Sequence, residues 1–207
     1  MSRILRFIYI MAALVGAVER ILLWTARFGF LIYPLYGIIS WVTAPRKNRL
    51  QRRAALIEAI FSVLTACTLS AVIRCIWHRP RPFARGKRAL ISHGHNASFP
   101  SNHTLNAVTA GGALLFFGPR GGYTKAVTAA VSLLFNGQGG AKRLLGWGLL
   151  QGMTRVFAGV HYMSDIAGSA VLAVCCALYV HSSHRLRKLS RQLAYICTEA
   201  EDILRSK

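Results

Sequence analysis

Five apolar runs, at roughly 21–43, 54–76, 103–118, 143–160 and 163–181, divide this chain, and short polar or basic stretches separate them. Crossing a hydrocarbon core about 30 Å thick takes about 20 helical residues. Each run reaches or nearly reaches that length. A sixth run, 4–18, is shorter and is closed by Glu19-Arg20. It reads as a helix that lies along the interface or dips into the bilayer, with a full span as the alternative. Residues 182–207 are rich in Arg, Lys and Ser, then acidic, and read as a polar helix or a frayed tail on the cytoplasmic side. The pattern predicts one all-α domain over 1–207, a polytopic membrane helical bundle of about five to six transmembrane helices. Residues 1–20 form its N-terminal interfacial or membrane-inserted helix.

Composition agrees. Hydrophobic residues make up 54% of the 207 and mean hydropathy is +0.39, too apolar for an ordinary soluble domain. Lys plus Arg number 26 against 6 acidic residues, a formal charge of +20. Nucleic acid is one partner for such a charge. Here, however, the cations flank apolar runs, as the positive-inside rule expects, and no basic stripe with stacking aromatics appears. Membrane lipids and a phosphate-bearing substrate are the expected partners, with no nucleic acid. Cys67, Cys75, Cys175, Cys176 and Cys197 lie mostly within apolar runs, with no CxxC spacing. They read as small hydrophobes rather than a zinc site. Arg3 and Arg6 ahead of an apolar run resemble a signal peptide, but no small-x-small cleavage site follows, so the segment is expected to be retained.

Charge also sets the orientation. The linker 45–53 carries five cations, Arg46, Lys47, Arg49, Arg52 and Arg53, and is expected to face the cytoplasm. Residues 77–102 then lie outside, and the tail with Arg185, Arg187, Lys188 and Arg191 lies inside. The outer loop is basic as well (Arg79, Arg81, Arg85, Lys87, Arg88), against the rule, and phosphate binding accounts for that. A further apolar stretch, 126–135, bears on the count. If it crossed, Arg155 and His161 would emerge opposite Arg81 and His103. A single site needs an even number of crossings between His103 and Arg155, so 123–136 is expected to form an inner-face amphipathic helix or re-entrant hairpin.

Three blocks hold the candidate chemistry: Arg74-Cys75-Ile76-Trp77-His78-Arg79-Pro80-Arg81-Pro82, then Pro100-Ser101-Asn102-His103, then Arg155 with His161 and Asp165. A phosphate dianion needs several fixed donors, and the planar guanidinium fork binds its oxygens bidentately while staying charged. Arg74, Arg81 and Arg155 stand at the ends of apolar runs. Any one of them alone reads as a snorkelling interfacial cation; three together, each beside a motif, read as a phosphate site. Ser101 or Asn102 can cap the helix that follows, whose free N–H groups then form an anion site with His103 in its first turn. His161 and Asp165 are four apart and share a face if helical. A carboxylate on one imidazole nitrogen fixes the tautomer and frees the other to attack. A neutral His161 can thus attack phosphorus while His103 protonates the leaving oxygen, acid catalysis of the kind worth about 10²–10⁴-fold.

The combination Arg74-x6-Arg81-Pro82, Pro100-Ser101-Asn102-His103, Arg155-x5-His161-x3-Asp165 resembles the three-part signature of the type 2 phosphatidic acid phosphatase superfamily, over roughly residues 70–170. That family includes vanadium haloperoxidases and glucose-6-phosphatase. The resemblance implies a metal-independent phosphatase on a helical bundle, without cofactor. It implies phosphate binding by Arg74, Arg81, Ser101, Asn102 and Arg155, with His103 as general acid, His161 as nucleophile and Asp165 as its orienting partner. Two positions depart from the family pattern. Arg74 stands where Lys is usual, which keeps the charge. Asn102 stands where Gly is usual, which puts a side chain at the phosphate cradle and bears on headgroup preference. The Ser-Phe-Pro-Ser-x-His form and the small size are similar to bacterial undecaprenyl diphosphate phosphatases of this superfamily. The expected activity is hydrolysis of undecaprenyl diphosphate on the outer face of a bacterial inner membrane. The alternatives are another lipid phosphate (phosphatidylglycerophosphate, phosphatidic acid or lipid A) or, in a different class, a non-catalytic lipid-binding membrane protein. His93-Gly94-His95 offers two metal ligands without a third and reads as loop. Gly118 to Gly122 lacks the Lys-Ser/Thr of a nucleotide loop.

Overall fold

The computed structural model describes residues 3–117 and 140–206. Among these every regular element is helical: α1 (Arg3–Phe28), α2 (Ile32–Val42), α3 (Arg49–Ile76), α4 (Asn102–Phe117), α5 (Gly140–Phe157), α6 (Met163–Ser182) and α7 (His184–Arg205). The expected inner-face helix or hairpin at 123–136 lies outside the described residues. Three stretches are long and apolar enough to cross a membrane: Met11–Val42, Arg46–Ile76 and Met163–Ser182. Their outward faces carry large apolar side chains, among them Ile21, Trp24, Ile38, Val42, Leu64 and Val171. A bundle that turns such residues outward is solvated by lipid, not water.

The N-terminal part differs from the expected run boundaries. Glu19-Arg20 does not end a helix; α1 continues through it to Phe28. The break falls later, at the short 3₁₀ turn Gly29–Leu31, so the apolar run 21–43 is divided between α1 and α2. Gly29 allows α5 to approach closely at the break. A Cβ at this position would press to 3.3 Å from Gln151 and from Thr25, and the Gly29 carbonyl accepts a 2.8 Å bond from the Trp147 indole of α5.

Helix α4 is the centre of the bundle, packed by α3, α5 and α6. One cluster joins all four: Ala66, Leu105, Val108, Leu145, Ala173 and Cys176. Between α4 and α5 the fit is close and antiparallel. A Cβ on Gly152 would meet Thr104, one on Gly148 would meet Ala107, and one on Gly111 would meet the backbone of Leu145. As one partner's number rises the other's falls, so the start of α4 and the end of α5 lie at the same end of the bundle. Without a strong hydrophobic drive between helices in lipid, such small-residue contacts hold them together.

At the opposite end α7 is a helix docked on the start of α3, rather than a frayed tail. Arg53 is 1% exposed. It pairs with Glu201, donates to Thr198 Oγ1 at 3.0 Å and lies over the Trp41 ring at 4.7 Å. Arg49 pairs with Asp202 at 2.5 Å. An apolar cavity of about 550 Å³ opens between α2, α3 and α4, lined by residues that include Tyr33, Gly37, Ile60, Val63, Ala110 and Leu114. All five cysteines are free, Cys176 in the core.

Candidate active site

The end of α3, the 77–101 loop, the start of α4, and the turn between α5 and α6 meet at one end of the bundle. They bring the three sequence blocks together. Arg81, which is extended in backbone just before the Pro82–Arg85 turn, is 2% exposed. Its guanidinium donates to Asn96 Oδ1 at 2.7 Å, to the Ala97 carbonyl at 3.2 Å and to the Val160 carbonyl at 2.8 Å. Its Nη1 also lies 3.2 Å from His161 Nε2. Burial pushes its pKa down to about 10, helped by Arg74 and Arg155 and opposed by Asp165, so it stays charged at neutral pH.

Arg74 lies in the last turn of α3 and donates to the Pro100 carbonyl at 2.6 Å. One turn earlier, Ser70 donates to Asn102 Oδ1 at 2.5 Å. These two residues, four apart and hence on one face, hold the start of α4. Asn102 therefore spends its carbonyl oxygen on α3, and the side chain expected at the phosphate cradle is turned toward that helix. Ser101 donates its backbone N–H to Ser169 Oγ of α6 at 2.8 Å, and its hydroxyl lies 3.2 Å from Thr104 Oγ1. Arg155 ends α5, and its Nη1 donates to the Ala26 carbonyl at 2.9 Å. Its Nε and Nη2 are buried without a hydrogen-bond partner, as is Arg74 Nε. Buried guanidinium donors left over beside one another have the chemistry to accept an anion.

His161 is 3% exposed. Its Nδ1 lies 3.5 Å from Asp165 Oδ2 and its Nε2 faces Arg81. The two residues do not share a helical face. His161 precedes α6, and Asp165 is the third residue inside it. Asp165 reaches back to the helix start, accepting the Tyr162 N–H at 2.9 Å as an N3 carboxylate does. The same carboxylate accepts from Ser98 Oγ at 2.5 Å and from Arg79 at 2.5 Å. Burial lowers the His161 pKa to about 4, with Asp165 holding it up and Arg81 and Arg155 adding to the fall. The imidazole is thus neutral at pH 7. His103, in the first turn of α4, is half-buried. It rests edge-on against Phe30 at 5.7 Å, within electrostatic reach of Arg155, His161 and Arg81. A neutral, buried imidazole with one nitrogen 3.5 Å from a carboxylate and the other beside a guanidinium can attack phosphorus.

Several residues here were not legible as site residues. Arg79 packs over the Tyr162 ring at 4.3 Å and neutralises Asp165. It lies two positions before Arg81 in extended chain, and so on the same side, which was the available signal. Asn96, Ser98 and Ser169 carried none, since nothing local distinguishes them from other loop or helix polar residues. His93, read as loop, lies with its ring 6.2 Å from that of His161.

The comparisons with known proteins bear on the same residues. The chain is 26% identical over 165 residues to the undecaprenyl-diphosphatase BcrC of Bacillus subtilis (strain 168), covering 77% of this chain and 71% of that protein. It is 28% identical over 145 residues to the bacitracin transport permease protein BcrC of Bacillus licheniformis, covering 69% of this chain and 60% of that one. A family model matches residues 55–189, a stretch that takes in all three blocks, most of α3, all of α4 to α6 and every residue of the arginine and histidine cluster; by that match the chain belongs to the PAP2 superfamily.

Proposed function

We propose that this membrane protein is a lipid phosphatase that hydrolyses undecaprenyl diphosphate to undecaprenyl phosphate and inorganic phosphate through a phosphohistidine on His161. One observation carries the reading. A buried neutral His161 stands between Asp165 at 3.5 Å and Arg81 at 3.2 Å, beside buried unpartnered donors of Arg74 and Arg155. Such an arrangement seats a phosphate against Nε2 and compensates its charge.

In the first step Nε2 attacks phosphorus and the bond to the leaving oxygen breaks; His103, which takes up a proton when the anionic substrate is seated beside it, passes that proton to the leaving oxygen. Asp165 holds Nδ1–H and stabilises the imidazolium character that develops on attack. In the second step His103 takes a proton from water, the water oxygen bonds to phosphorus, and the N–P bond breaks to release phosphate. Positioning and fixed cations are what phosphoryl transfer chiefly asks of a protein. The undecaprenyl substrate is favoured by the relative of that activity. The apolar cavity between α2, α3 and α4 offers a surface for part of the lipid chain, and its residue Ala110 lies seven positions along α4 from His103, about 10 Å away. The site is placed on the outer face of a bacterial inner membrane, opposite the basic 45–53 linker.

The test is a substrate panel on purified protein comparing polyprenyl diphosphate, phosphatidic acid, phosphatidylglycerophosphate and lipid A. Polyprenyl diphosphate is expected to have the highest kcat/KM. His161→Ala is expected to abolish turnover of every substrate, and wild-type-like turnover in that variant sinks the mechanism. Activity is expected to persist in excess EDTA and to be inhibited by vanadate, a mimic of the five-coordinate phosphoryl group. Complete loss in EDTA, reversed only by a divalent ion, overturns the metal-independent reading.

A further inference from the structure

His93 lies outside the three sequence blocks, yet the 77–101 loop carries it into the site. Its placement is held by the loop's contacts with the turn that bears His161. Leu90 N–H donates to the Ala158 carbonyl at 3.0 Å. Gly159, at φ +75°, lies so close beneath the Arg88 carbonyl that a Cβ there would come within 2.3 Å of it. The His93 ring meets that of His161 edge to face, 6.2 Å between centroids. It is partly exposed, so it stands at the mouth of the site rather than at its floor. Arg81, Arg155 and Arg74 all act on it electrostatically.

We propose that His93 is a specificity-determining residue that contacts the second phosphate of a diphosphate substrate, the one that stays on the lipid when the terminal phosphate moves to His161. The inference rests on the diphosphate reading above and deepens it. The terminal phosphate takes the seat at His161 Nε2, among Arg81, Arg155 and Arg74. The second phosphate is one bridging oxygen further out, toward the opening, where His93 lies. Burial and the three arginines lower the His93 pKa, opposed by the Gly94 carbonyl. An anion placed against it favours the protonated, donating form. Placed beside His161, the His93 ring has a phosphate oxygen to bond only when a second phosphate is present. That difference is what discrimination between two ligands requires.

The experiment compares wild type, His93→Ala and His93→Gln as full-length protein in detergent, with a polyprenyl diphosphate and the monophosphate of the same chain. The readout is the ratio of kcat/KM for diphosphate to that for monophosphate. In His93→Ala the ratio is expected to fall about tenfold or more, equivalent to about 1.4 kcal/mol, chiefly through a higher KM for the diphosphate. His93→Gln, which keeps an N–H donor, is expected to recover part of it, and carries the test if the alanine variant does not fold. A ratio within about twofold of wild type in both variants overturns the proposal, whether the two activities fall together or neither falls. The wild-type ratio is a separate result. A wild type that turns over only the monophosphate removes the diphosphate reading itself, before any variant is considered.

Discussion

Asp165 alone among the six carboxylates lies between residues 59 and 198, and it compensates a site built from arginines. It accepts from Arg79, Ser98 and the Tyr162 N–H while facing His161. Asp165→Asn is therefore expected to lower kcat by about 10³–10⁴-fold, the scale on which loss of an orienting carboxylate acts, without the complete loss of His161→Ala. Full kcat in that variant counts against an orienting role. Ser98→Ala removes one of the carboxylate's anchors and is expected to lower kcat with less change in KM; single-turnover kinetics check this. The protonation state of His161 gives a pH prediction. Burial lowers its pKa to about 4 and attack needs the neutral form, so activity is present above that value and lost as pH falls through it. The acid limb of kcat/KM, which reports the free enzyme, is expected near pH 4 rather than near the ordinary 6.5. Because Asp165 raises this pKa, the limb should move to still lower pH in Asp165→Asn. A limb that stays put in that variant belongs to another group.

At the scale of elements, the site depends on how closely α4 approaches α5. A methyl at Gly152 would meet Ile166 at 2.7 Å and Thr104 at 2.8 Å, and Thr104 is next to His103. Gly152→Ala is expected to destabilise by about 1–3 kcal/mol, the usual cost of overpacking. It is also expected to reduce turnover by displacing His103 from Arg155; thermal melts and kinetics in the same detergent test both. Far from the chemistry, Arg53→Ala leaves Glu201 without its buried partner and uncovers Trp41. It should lower Tm by several degrees. Arg49→Ala, whose partner Asp202 is half-exposed, should lower it by less. The reverse order would mean that α7 is not held through Arg53.

For the whole molecule, the site at one end of the bundle and α7 at the other make orientation testable. A cysteine-free variant carrying a single Ser92→Cys is expected to react with a membrane-impermeant thiol reagent on intact cells. One carrying Glu199→Cys should react only after permeabilisation. Labelling of both from outside would place the two ends on the same side and overturn the proposed topology.

The hydrophobic pattern by itself determined that the chain is a helical membrane bundle, because helix length in lipid is set by bilayer thickness and each span must satisfy its own backbone. The three blocks were legible too, because Arg74, Arg81 and Arg155 each stand beside a motif in a spacing that resembles the family signature, with His103, His161 and Asp165. The tertiary structure decided what depends on approach between distant segments. The α1–α2 break falls at Gly29, where α5 approaches closely, rather than at Glu19-Arg20. His161 meets Asp165 across the start of α6, where the carboxylate reaches back to the Tyr162 N–H, not along a shared helical face, because the helix starts between them. Asn102 turns to Ser70 because α3 lies within reach. Arg79, Ser98 and His93 join the site because a loop of ordinary composition folds back on the turn before α6. Local sequence specifies periodicity and chemical type; which groups then meet is fixed by packing between elements, and no single segment records it.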